Sequence, residues 1–152
     1  MTNCTDNELE GCSSDERLFW GFTAEVSAAF VMREDAAPIV YDLEERTSRF
    51  GEQIILFANK IPWNPVNNRL IDQLVGAGTS VGANYYEADD GISRPDSRHR
   101  ISICRKEARE TKFFLRMVST AEPSLKSEAR ELWQEAHTLH LIFSRVWRST
   151  KI

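Results

Sequence analysis

A chain of 152 residues, 41% hydrophobic and 28% charged, is one domain's worth of sequence and can bury a core without disulfide or metal staples. The formal net charge of −4 speaks against a general polyanion binder, but that charge is unevenly placed. Residues 1 to 31 hold one base, Arg17, against six acids (Asp6, Glu8, Glu10, Asp15, Glu16 and Glu25), a net of −5, so the remainder stands at +1.

Three cysteines, Cys4, Cys12 and Cys104, form no CxxC pair and leave an odd thiol, which predicts a reducing compartment rather than a disulfide framework. The start lacks the basic stretch of a signal peptide. Residues 18 to 32 are interrupted by Glu25 and too short to span a bilayer. A cytoplasmic protein with no membrane partner is expected.

Along the first 38 residues, Leu18, Phe22, Val26 and Phe30 sit at helical spacing without a convincing cap. This extension is read as disordered or as one short helix, ahead of a domain over residues 39–149. Four helices are predicted there, over about 41–61, 65–89, 95–120 and 124–148. The first places Leu43, Thr47, Phe50, Ile54, Phe57 and Ile61 at alternating steps of four and three, which keeps one stripe facing a partner. Pro62 ends it, and Asn64 with Pro65 supplies an N-cap and a first-turn proline for the second. The second runs Leu70, Leu74, Ala77, Val81, Asn84 and Ala88 along its seam. Its glycines Gly76, Gly78 and Gly82 predict a close backbone approach, since each costs about 1 kcal/mol in a helix.

Asp89, Asp90 and Gly91 stop that helix, and Ser93 with Asp96 resembles a capping box for the third. The third seam runs Ile101, Cys104, Ala108, Thr111, Leu115 and Val118, with Glu107 inside the same arc. After Glu122-Pro123-Ser124, the fourth places Leu125, Ala129, Leu132, Ala136, Leu139, Phe143 and Val146 on one stripe. No run alternates with period two for long enough to suggest a strand. Short connections make neighbours antiparallel, so the fold class is an all-α, up-down-up-down four-helix bundle.

Two features break the apolar pattern. Asn84 and Glu107 fall on seams, where a buried amide and carboxylate are costly unless they satisfy one another. They predict a polar lock, with Asn84 donating to Glu107 and Ser80 bonding a backbone or carboxylate, that fixes the register of the bundle. The other feature is a basic stripe. Taking ~100° per residue, Arg98, Arg105, Arg109, Lys112 and Arg116 share an arc of roughly 60° beside the third seam. Such cations repel one another unless acids or an anionic partner lie opposite. Glu128, Glu131 and Glu135 of the fourth helix, or acids of an adjacent subunit, could neutralise them. RNA phosphates could do the same. Tyr85, Tyr86, Phe113 and Trp133 could stack bases, although aromatics at helical spacing more often pack.

Other chemistry finds less support. Asp96 and His99 approach a Glu-x-x-His motif once, at a helix start, where a di-iron bundle needs two facing inward. His137 and His140 share a helix face but lack further ligands, and read as surface or interface residues. No glycine-rich phosphate loop or nucleophile elbow accompanies the carboxylates. No catalytic residue, cofactor, metal or small-molecule substrate is assigned, and no enzyme is expected.

The pattern Ser80-x-Gly82-Ala83-Asn84-x-x-Glu87-Ala88, followed by Lys106-Glu107-Ala108-x-Glu110-Thr111-x-x-x-Leu115, resembles the four-helix bundle proteins encoded by intervening sequences of bacterial 23S ribosomal RNA genes. The accessory protein of diversity-generating retroelements is similar to the same family. The likeness covers roughly residues 39 to 148. It implies a bacterial protein forming a homo-oligomer, with a ring-shaped pentamer expected, and an association with structured RNA or a reverse transcriptase. Residues 1 to 31 have no counterpart in it, and Met32 opens the matching part, so an over-extended gene start and a genuine extra helix stand as alternatives. An adaptor that binds only protein is the other functional reading. In that reading the stripe is satisfied across subunit interfaces; oligomerisation itself has separate support in apolar surface off the seams: Trp133, Leu141, Ile142 and Trp147 on the fourth helix, and Phe113 and Met117 on the third.

Overall fold

The structure, a computed structural model, describes residues 13–22 and 42–150. The chain divides into two units, Met1–Val40 and Tyr41–Ile152. In the first, α1 spans Ser14–Trp20. The Ser13 hydroxyl accepts from the Glu16 N–H at 3.2 Å, and Asp15 and Glu16 suit the positive end of the helix. Gly21 closes it at φ 69°, a left-handed turn that favours glycine, while the Phe22 N–H donates to the Arg17 carbonyl. The expected stripe therefore starts in the wrong place. Leu18 is 81% exposed, Phe22 lies past the cap, and Val26 and Phe30 fall outside the described residues.

The second unit holds α2 (Leu43–Ala58), α3 (Pro65–Asp89), α4 (Arg94–Ala121) and α5 (Lys126–Ser149), with a 3-10 turn at Pro123–Leu125. No strand occurs among the described residues. Each helix packs on its chain neighbour, and α2 closes more lightly against α5, which makes an antiparallel four-helix bundle. Caps set the starts. Asp42 accepts from the Glu45 N–H, and Asn64 accepts from the Val66 and Asn67 N–H groups. The Ser93 hydroxyl accepts from the Asp96 N–H and donates to the Asp96 carboxylate at 2.6 Å. The first bundle helix ends three residues short of expectation, because residues 59–61 tighten into turns before Pro62.

The seams form the core. Phe50, Ile54, Phe57, Leu74, Val81, Leu115, Val118, Leu139 and Phe143 are all buried. Hydroxyls on the seams are satisfied within their own helix: Thr47 donates to the Leu43 carbonyl, Thr111 to Glu107 and Ser119 to Leu115. Close approach is real at two of the three seam-region glycines. A Cβ on Gly78 would stand 2.8 Å from Ile54 side-chain carbons, and one on Gly82 would stand 3.3 Å from the Thr47 carbonyl. A Cβ on Gly76 would meet nothing within 4 Å, so this glycine faces open space.

Candidate nucleic-acid interface

The polar lock is not formed. The Asn84 amide donates to the Ser80 carbonyl at 2.8 Å and its oxygen accepts from the Arg100 guanidinium at 3.3 Å. Arg100 also pairs with Glu87 at 2.6 Å. Ser80 donates to the Gly76 carbonyl. Glu107 has its nearest cation, Lys106, at 3.6 Å on its own helix, and Glu110 lies 4.0 Å from the same lysine. Register explains the failure. The Cys104 thiol donates to the Val81 carbonyl at 3.5 Å, which levels residue 104 with 81 in this antiparallel pair. Glu107 is then level with Gly78, six residues or ~9 Å along the axis from Asn84.

Side-chain bridges between helices occur elsewhere. Arg46 of α2 grips Glu135 of α5 through two nitrogens at 2.7 and 3.0 Å. Lys60 pairs with Glu128 at 2.6 Å. The Asn67 amide, buried at the start of α3, donates to the Pro62 carbonyl and to the Glu122 carboxylate. No periodicity marked these residues; the asparagine-rich run after Pro62 was the one available signal.

The basic stripe of α4 divides into two parts. Lys112 is buried, with its Nζ 3.1 Å from Nδ1 of His137 and 4.5 Å from the Trp133 ring centre. An ammonium can only donate, so that imidazole nitrogen accepts. His137 is itself buried and stacked on Trp133 at 5.1 Å, so it is a core residue rather than a surface one. Arg116 is half-buried. Toward the start of α4 the arrangement opens. The Arg98 and Arg105 guanidiniums lie 4.3 and 4.7 Å from the ring centre of Trp147 on α5, and Arg109 is exposed. Such cation–π contacts are worth about 0.5–1 kcal/mol at exposed sites. Arg98, Arg105 and Arg109 make no ion pair among the described residues. Of the α5 acids that could have neutralised them, Glu135 is engaged by Arg46 of α2, Glu128 by Lys60 just past its end, and Glu131 is exposed.

His140 stands beside this patch. Its Nδ1 is buried without a hydrogen-bond partner among the described residues. Burial, followed by the cations Lys112, Arg109 and Arg105, pulls its pKa down to about 4. The imidazole is neutral at pH 7 and adds no charge. Burial, with a further push from Glu107, holds the Cys104 thiol up at about 12, so it acts as a small core hydrophobe.

The aromatics singled out for base stacking are placed differently. Trp133 is buried, and Tyr85 packs against Phe143 with its hydroxyl pKa raised by burial and then by Asp89. Tyr86 and Phe113 are exposed, Tyr86 with its hydroxyl 3.0 Å from Ser48 and Phe113 edge-on to Phe114. Trp147, which the sequence suggested only as apolar surface, is the aromatic against the Arg98 and Arg105 part of the stripe. An open cleft of about 450 Å³ lies at the α3–α4 turn, lined by Tyr86, Glu87, Asp90, Ile92, His99 and Arg100 among others. No group of three or more His, Cys, Asp or Glu residues among those described is placed to hold a metal ion. No described helix is long and apolar enough to cross a membrane.

No protein-family model matches the sequence, and no curated protein matches it. Among solved structures it is similar to a protein of unknown function from the S23 ribosomal protein family of Bacteroides thetaiotaomicron VPI-5482. The two share 22% identity and a TM-score of 0.62, over 70% of this chain and 99% of the other. The likeness is one of fold.

Proposed function

We propose that this is a non-enzymatic, cytoplasmic bundle that binds structured RNA through phosphate contacts on the exposed part of α4, and that it acts as a homo-oligomer. One observation carries the reading. Arg98, Arg105 and Arg109 stand together without an ion-paired carboxylate among the described residues, while Glu128 and Glu135 pair with Lys60 and Arg46 instead. Neutralisation within the bundle was the main competing account of the stripe, and these pairings remove two of its three acids. The motif resemblance points in the same direction and adds a reverse transcriptase as a further candidate partner; the likeness to the S23-family protein supports the fold. The binding patch is shorter than the five-residue ribbon, since Lys112 is taken up by His137 and Trp133.

The test is RNA binding across a salt series, for the wild type and for a double charge reversal, Arg105→Glu with Arg109→Glu. Phosphate contacts release counterions, so the wild type should bind with a steep salt dependence, and the double variant should flatten the log–log slope by about one per lost contact. Helicity should hold, because neither side chain belongs to the core. A wild type without salt-sensitive binding, together with a double variant that falls apart into protomers, would establish the protein-only adaptor instead.

A further inference from the structure

We infer that Trp147 is a positioning residue that shapes the α4 patch for unpaired RNA, with a nucleobase stacked on a guanidinium face and phosphates on the guanidinium edges. This rests on the RNA reading and names the class of RNA.

The argument starts from spacing. Arg98 and Arg105 are seven residues apart, so their backbones are separated by ~10 Å along α4. Both guanidiniums nevertheless lie against the single indole of Trp147, at 4.3 and 4.7 Å. Two like charges without an acid between them would otherwise swing apart into solvent. The electron-rich indole holds both within cation–π distance and limits how far each can swing.

The N–H donors of an arginine lie in the plane of its guanidinium and point outward along its edges, leaving its faces for stacking. Arg98 spends one of them weakly, on the Trp147 carbonyl at 3.4 Å. Arg105 makes no hydrogen bond among the described residues and is not fully covered, as Arg98 and Trp147 are not. Those edge donors match the bidentate geometry of a phosphate. A planar guanidinium can also carry a base on its face, as aromatic side chains do. Arg109, exposed one turn beyond Arg105, adds a cation for the neighbouring phosphate of the same strand. His140, neutral beside Arg105 and Arg109, leaves the local charge to the arginines.

Duplex RNA can use only part of this site. Its bases are stacked on one another, so it offers phosphates and sugars but no free base face. A loop or single strand can use the edges and the face together, and one base–side-chain stack changes affinity on the order of tenfold.

The experiment compares a labelled 20-nucleotide oligouridine with a 20-base-pair RNA duplex by fluorescence anisotropy, using the full chain and three variants. The wild type should bind the single strand about tenfold tighter than the duplex at matched salt. Trp147→Leu keeps apolar volume without the aromatic face and should bring that ratio close to one. Trp147→Phe should restore most of it, which a merely structural role for the indole would not require. Arg105→Lys keeps the charge but loses the flat face, so it too should lower the ratio, and it tests the idea even if Trp147→Leu fails to fold. Equal binding of both RNAs by the wild type, or an unchanged ratio in Arg105→Lys, overturns the inference and leaves the RNA reading standing. Absence of salt-dependent binding to either RNA overturns both.

Discussion

At the scale of single residues, His140 shows how placement sets chemistry. Its ordinary pKa of 6.5 falls to about 4 because burial and three cations, Lys112, Arg109 and Arg105, oppose its protonation. A histidine depressed in the folded state takes up its proton first in the unfolded chain. Stability associated with it is therefore complete above about 6.5 and lost as pH falls toward about 4. We predict that the melting temperature of the wild type drops more steeply through that window than that of His140→Gln. Every other ionisable group is common to the two proteins and cancels in the comparison. Parallel curves for the two proteins would show that His140 is hydrated and that its shift does not exist.

At the scale of elements, the glycines of α3 give opposite expectations for the same substitution. Gly78→Ala forces a methyl to within 2.8 Å of the branched Ile54 side chain on α2, and overpacking of this kind costs about 1–3 kcal/mol. Gly76→Ala meets open space and should stabilise the helix by up to about 1 kcal/mol. Urea midpoints should therefore move in opposite directions, and a shared direction would mean that α2 and α3 are not in this register. The seams were legible because a stripe repeating every three to four residues has one solution, burial against a partner. Phe50, Ile54, Leu115 and Leu139 are buried as that rule requires. Relative register was not legible. It is set by the α3–α4 turn and by which side chains interdigitate, so Asn84 and Glu107, each half-buried, sit too far apart along the axis to meet. The stripe divides for a related reason. Helical angle groups Lys112 with Arg105, but only the position of α5 decides that one meets Trp133 and the other Trp147. The α1 caps, Ser13 and Gly21, are signals of serine and glycine chemistry, whereas the apolar spacing from Leu18 to Phe22 runs across the cap and marks no end.

At the scale of the whole molecule, apolar supply bears on assembly. Part of the surface expected to drive it is not surface, since Trp133 is buried and Leu141, Ile142, Met117 and Trp147 are half-buried. Exposed apolar residues gather instead around the α2–α3 connection, where Leu56 is 63%, Trp63 84% and Val66 64% exposed. A tryptophan this open is unusual, and neighbouring apolar residues left wet favour association. We predict that the bundle self-associates through this end, as a closed homo-oligomer with five copies expected from the family resemblance. Light scattering at micromolar concentration should then return a multiple of the 17.4 kDa chain mass. Leu56→Ser with Trp63→Ser should reduce it to a single chain without loss of helicity, because neither residue belongs to the core. Arg105→Glu with Arg109→Glu should leave the mass unchanged, since those arginines are on α4, outside the α2–α3 connection. A wild type of 17.4 kDa would end the oligomer reading. A mass that survives the first pair of substitutions but collapses with the second would move the interface onto α4, and with it would go the case for RNA on that helix.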